Sequence, residues 1–125
     1  MEGKYVQLRD VNAYIISFQL SNYVWEVVIG WDYFSKDTVG KQFVRSTDSI
    51  SANIAEGFGR YGKSDKIKFY RYSYASLKES FDWNEKAKRR TLITSEQYEN
   101  IIHYLQQLPK EINGLIKLTN QKLKK

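Results

Sequence analysis

A chain of 125 residues with a net charge of +6, 42% hydrophobic content and no cysteine fits one ordinary domain that buries its own core without disulfides or thiolate chemistry. The longest charge-free run, Val11 to Trp25, is too short to cross a bilayer, and the opening MEGKYVQLRD lacks a signal peptide's apolar core, so a cytoplasmic protein without membrane segments is expected. Charge is lopsided: residues 1–59 hold five Lys/Arg against seven Asp/Glu, whereas residues 60–125 hold fifteen against seven, which favours a polyanionic partner or merely solvates exposed helix faces.

The first predicted element runs from about residue 11 to 31. At a hundred degrees per residue, Leu20, Val24, Val27, Trp31 and Phe34 form one apolar stripe, and Phe18, Trp25 and Ile29 form a second on nearly the opposite side. A helix apolar on two sides is expected to be buried on two sides. FSKDT then reads as a short loop with Asp37 as N-cap.

The second element spans about 38–57, with a core stripe of Val39, Phe43, Thr47, Ile50 and Ile54. Gly57 ends it, and GFGRYGKS is the turn, since glycine tolerates left-handed backbone. The third element spans about 64–89 with Ser64 as N-cap and a core stripe of Phe69, Ser73, Ser76, Ser80, Trp83 and Ala87. A further stripe, Tyr70, Tyr74, Leu77 and Phe81, lies about a third of a turn or more away. The fourth element spans about 94–121 and opens with a capping box, Thr94 and Gln97. Its stripe is Tyr98, Ile101, Leu105, Leu108, Ile112, Leu115 and Ile116, and Pro109 within it should kink or split the helix. Four amphipathic helices with short connections, and no strand alternation, predict a single all-α domain, an antiparallel up-down-up-down four-helix bundle.

A bundle in one copy needs one apolar face per helix. Leaving Phe18, Trp25, Ile29, Tyr70, Tyr74, Leu77 and Phe81 wet would expose a large patch, so these residues are expected to form a homo-oligomer interface.

The stretch DSISANIAEGFGR, residues 48–60, is small and polar for a helix end. Ile50 and Ile54 point to the core, while Arg45, Ser49, Ala52 and Glu56 share an outer row whose small centre would let another helix approach. Incidental Ser and Ala remain the plain alternative. SISANIAEGFGR, with DYF and GKQFVRSTDS before it and SLKES after it, resembles the four-helix-bundle proteins encoded in intervening sequences of bacterial 23S rRNA genes. The likeness runs from about Trp25 to Ile116 and centres on Ser49, Asn53, Glu56, Gly57, Gly59 and Arg60. It implies a four-helix bundle with no established enzymatic activity. The family is similar to accessory proteins of diversity-generating retroelements, which implies a basic homopentameric barrel that binds nucleic acid and a reverse transcriptase. Where relatives often carry Ala-Arg-Gly-Ser in the third helix, this chain has Ser73-Tyr74-Ala75-Ser76.

Enzyme chemistry finds little support. A di-iron bundle needs Glu-x-x-His pairs on two helices, and the one histidine, His103, follows Glu99 at the wrong spacing. Zinc finds too few Cys or His ligands. No Gly-x-Ser-x-Gly turn accompanies His103. Gly62-Lys63-Ser64 follows a helix where a phosphate loop follows a strand. No catalytic residue, metal site or cofactor is therefore expected. Arg60, Lys63, Lys66, Lys68 and Arg71 instead cluster at the start of the third helix among Tyr61, Tyr70, Tyr72 and Tyr74, and Lys86, Lys88, Arg89 and Arg90 cluster at its end. Cations hold phosphates and exposed aromatics stack on unpaired bases, so the basic groups are the candidate site for RNA or single-stranded DNA, read without base specificity. Core or interface packing is the alternative for the tyrosines and the preferred reading of Tyr72. The alternative is a protein-interaction scaffold whose basic faces only solubilise it.

Overall fold

The computed structural model describes residues 6–124, and no strand occurs among them. Four long helices carry the fold: α1 Asn12–Val28, α2 Lys41–Phe58, α3 Lys63–Arg89 and α4 Ser95–Lys122. Helix α2 packs on α1 and α3, and α4 packs on α3 and α1, which closes a four-cornered bundle. Its centre is filled by Leu20 and Val24, Phe43, Ile50 and Ile54, Tyr70 and Leu77, and Ile101, Leu105, Leu108 and Ile112. These positions recur every three or four residues, so each helix turns one face inward.

Several local expectations change. Helix α1 stops at Val28 and its inward line begins with Ala13 and Ser17. Phe34, expected at the far end of its stripe, is 73% exposed beyond that end. Asp32, not Asp37, caps the second helical run: its carboxylate accepts from the Ser35 amide at 3.2 Å and from Ser35 Oγ at 2.7 Å. Those hydrogen bonds hold the Asp32 carboxyl below its usual range. The expected FSKDT loop is helical instead. Tyr33–Ser35 starts a turn, and Lys36–Gly40 continues it as a π-helix into α2. Gly40 has a packing reason: a Cβ there would lie 2.7 Å from Val28 Cγ1 on α1.

Ser64 does not cap α3. Gly62 occupies the cap position without a side-chain bond. The inward line of α3 is Tyr70, Ser73, Leu77, Ser80, Asn84 and Ala87, while Phe69, Ser76 and Trp83 are only half-buried. Tyr70 and Leu77 are therefore core residues of a single chain, at 2% and 0% exposure, and cannot belong to an oligomer interface. Ser73, Ser80 and Ala87 face inward as the stripe predicts, but the face is centred toward Tyr70, Leu77 and Asn84 and not toward Phe69, Ser76 and Trp83, because small serines leave both flanking lines equally apolar. Tyr74 and Phe81 flank the core half-buried. Helix α4 begins with the expected capping box, Thr94 and Gln97 accepting from each other's backbone at 3.0 Å. Pro109 lies inside α4 without splitting it.

Candidate nucleic-acid interface

Helix α3 turns its inner face to α2 through hydroxyls. Ser73 Oγ donates to the Ile50 carbonyl at 2.8 Å, and Ser80 Oγ donates to Ser46 Oγ at 2.9 Å. Short side chains let the two helix backbones come close, and each buried hydroxyl finds a partner. With its inner face fixed in this way, the outer face of α3 is fixed too. Lys68, Arg71, Lys78, Lys86 and Arg89 recur at helical intervals along it, with Lys86 half-buried and the others exposed. At about 1.5 Å per residue this row extends over roughly 32 Å.

The row joins what the sequence presents as two separate clusters. Lys66 and Lys88 alone stand about 33 Å apart along the helix axis, so the two groups do not converge on one pocket. They meet one ligand only if it is long. Lys78, absent from both clusters, sits between them, and its position at a hundred degrees per residue was the available signal.

The candidate cations are not equivalent. Arg60 pairs with Glu56 at 2.7 Å and with Asp65 at 3.6 Å, and its guanidinium lies 4.6 Å from the Phe69 ring centroid. Lys86 pairs with Asp82 at 2.6 Å and lies over Trp83. Lys66 is turned inward, its ammonium donating to the Phe58 carbonyl at 2.8 Å, and burial pushes its pKa down. Lys88 lies over the Tyr98 ring at 4.1 Å. Tyr98 in turn donates its hydroxyl to the Glu85 carboxylate, which pushes that phenol up to about 12. Lys63, Arg71, Arg89 and Arg90 make no ion pair among the described residues. Lys68 pairs with Asp65 at 3.6 Å, and a cation already neutralised by a carboxylate adds little to a phosphate contact, so Arg71, Lys78 and Arg89 are the strongest members of the row. Tyr72, expected to pack in the core or an interface, is 49% exposed against Phe69 and leaves an aromatic surface beside the row.

The motif residues have structural duties at the α2–α3 turn. Asn53 Nδ2 donates to the Ser49 carbonyl at 2.9 Å within α2. Gly57 meets α3 directly: a Cβ there would lie 2.7 Å from Tyr70 Cε1 and 3.0 Å from the Lys66 carbonyl. Gly59 closes α2 with φ −81, and Glu56 and Arg60 tie the turn together. Arg45, Ala52 and Glu56 stay exposed on the outside of α2, with Ser49 half-buried beside them.

On α1, Phe18, Trp25 and Ile29 are 50%, 52% and 48% exposed. Trp25 and Ile29 join Val44 in an open groove of about 310 Å³ between α1 and α2, rimmed by Lys36, Lys41 and Arg45. No group of three or more His, Cys, Asp or Glu side chains that could hold a metal ion occurs among the described residues. No described helix is long and apolar enough to cross a membrane.

Comparison with known proteins bears on this geometry. Residues 9–114 match the model of the family described as 23S rRNA-intervening sequence protein. A crystal structure from Bacteroides thetaiotaomicron, of a protein with unknown function from the S23 ribosomal protein family, superposes with a TM-score of 0.75 at 25% identity. The match covers 84% of this chain and 98% of that one. No curated protein matches the sequence.

Proposed function

We propose a function from a plain premise: the chain belongs to the 23S rRNA-intervening sequence protein family. The proposal is a non-enzymatic, homo-oligomeric bundle that binds nucleic acid, RNA foremost, along the outward face of α3. The observation that carries it is the row Lys68, Arg71, Lys78, Lys86 and Arg89 on one helix face, exposed except for the half-buried Lys86, which pairs with Asp82. A straight row of cations suits a phosphodiester backbone, because it neutralises successive phosphates without reading bases. The family's name gives a genomic location and supplies no ligand. Self-association is assigned to the α1 face of Phe18, Trp25 and Ile29, whose exposure leaves an apolar surface of the kind that marks interfaces. A five-membered ring and a reverse-transcriptase partner rest on the resemblance alone, as does the absence of catalysis on the lack of recognisable catalytic groups.

The test is a salt series with single-stranded RNA. The logarithm of affinity should fall linearly with the logarithm of salt, with a slope of about −0.7 per phosphate contacted. Arg71→Glu with Arg89→Glu should weaken binding to all sequences alike and leave the helical content unchanged. A protein that ignores RNA and DNA at low salt overturns this reading in favour of a scaffold whose basic face only solubilises it. Light scattering that gives a monomer at micromolar concentration overturns the assembly.

A further inference from the structure

One end of the bundle, where α1 and α3 begin and α2 and α4 finish, holds a cavity of about 430 Å³. That is within the size range of small-molecule sites. Its walls are largely apolar and include Val11, Phe58, Leu115 and Leu118. Two polar side chains of α3 reach the same space, Lys66 and Tyr70. They are four residues apart and share one helix face.

Neither group is fully used by the protein. The Lys66 ammonium donates to the carbonyls of Phe58 at 2.8 Å and Gly57 at 3.4 Å. An ammonium has three N–H donors, so one remains. Tyr70 is 2% exposed as a residue, and its hydroxyl, which makes no hydrogen bond among the described residues, is left to the cavity. Its ring is held in place against Gly57, which keeps the hydroxyl at the cavity.

We propose that this cavity binds a small monocarboxylate with an apolar body, of the medium-chain fatty-acid type. The carboxylate has two acceptor oxygens, one for the spare Lys66 N–H and one for the Tyr70 O–H. The chain lies against the apolar wall. Asp10 and Glu111 line the cavity together with Lys66 and Lys122, so its charges balance and the two carboxylates repel a multiply charged anion more than a singly charged one. A neutral apolar ligand would bury the Lys66 charge and leave the phenol unmatched. This site lies apart from the outward face of α3 and does not depend on nucleic-acid binding.

The experiment is calorimetric titration of the intact protein with decanoate, below its aggregation range, and with decanol. Decanoate should bind saturably at one molecule per chain, and decanol at least about tenfold more weakly, as the loss of a charge-assisted hydrogen bond predicts. Tyr70→Phe keeps the ring against Gly57 and removes only the hydroxyl. It should weaken decanoate about tenfold while the melting temperature holds. Gly114→Phe provides a second variant: Gly114 lines the cavity, and a Cβ there meets nothing within 4 Å. It should fill the space and abolish binding in a folded protein. The proposal is overturned by the absence of saturable binding at millimolar decanoate, by equal binding of decanol, or by decanoate binding that both variants leave intact.

Discussion

The two ends of α3 solve the same problem, reversing the chain, with opposite chemistry. The turn before it holds three glycines, Gly57, Gly59 and Gly62, and none of them uses glycine's special backbone freedom: Gly59 and Gly62 have φ of −81 and −88, and Gly57 lies within α2. The turn after it holds no glycine, and there Thr91 takes the left-handed conformation with φ 61. Around Thr91 the chain makes the two bonds of a Schellman motif, Thr91 N–H to the Lys88 carbonyl at 3.0 Å and Leu92 N–H to the Ala87 carbonyl at 2.9 Å. The first turn is held instead by side chains, with Arg60 between Glu56 and Asp65 and Lys66 on the last carbonyls of α2. Glycine at the first turn serves contact, and left-handed backbone at the second is carried by a β-branched residue that disfavours it.

The largest effect is expected midway between the two ends, where both depend on α3 being seated. Leu77 is fully buried, so Leu77→Glu would place an unpaired carboxylate in the core, a change that costs several kcal/mol and should unfold the chain. Circular dichroism that keeps full helicity with only a loss of assembly would show that α3 is not seated as described. Gly57→Ala comes next and tests the first turn. The added methyl would overlap the Tyr70 ring and press on the Lys66 carbonyl. Overpacking of this kind costs about 1–3 kcal/mol, offset in part by alanine's helix preference of roughly 0.5–1 kcal/mol. Thermal melts should show a drop of a few degrees. A rise would mean that Gly57 is an ordinary helical glycine and that the contrast between the ends is false.

These contrasts explain what could be read in advance. The four helices, the Thr94 and Gln97 box and the inward Ile50, Ile54, Ile101, Leu105 and Ile112 follow from spacing, because large aliphatic residues mark their face without ambiguity. The start of α2 was misplaced because Asp32 and Asp37 are both capable caps, and the π-helix between them shifts the register on which periodicity depends. On α3 the inward line contains Ser73, Ser80 and Asn84, all fully buried. The sequence stripe includes Ser73 and Ser80, but serines do not say on which flank the large apolar residues lie, and it takes Phe69 and Trp83 for the core where the structure has Tyr70 and Leu77. The basic residues were visible by type, yet their alignment into one row required the face to be known. Pairing was hidden as well: Arg60 and Lys86 look no different in sequence from Arg71 and Arg89 until Glu56, Asp65 and Asp82 are placed beside them.

Thr91→Gly tests the far end. Left-handed backbone costs an L-residue about 1–2 kcal/mol, and glycine recovers most of that while making the unfolded chain somewhat freer. The hydrogen bonds of the motif are made by backbone alone and survive the change. Denaturant midpoints should rise by an amount worth about 1 kcal/mol with no change in slope. An unchanged or lower midpoint would mean that the threonine side chain contributes something that offsets its strain.

Gly59→Ala gives the smallest effect and the sharpest test, because it repeats the Gly57 substitution two residues away and should have the opposite sign. A Cβ at position 59 meets only the Ala55 and Glu56 carbonyls, at 3.6 and 3.7 Å, which is ordinary contact. The backbone there is right-handed, so alanine fits without strain. What remains is the unfolded state, where alanine has fewer conformations to lose than glycine, worth about 0.4–1 kcal/mol of added stability. If the first turn uses glycine only for contact, then Gly59→Ala stabilises while Gly57→Ala destabilises, and the double variant falls between them. Destabilisation at both positions would mean that the turn needs glycine for its backbone after all, and the two ends of α3 would then differ only in degree.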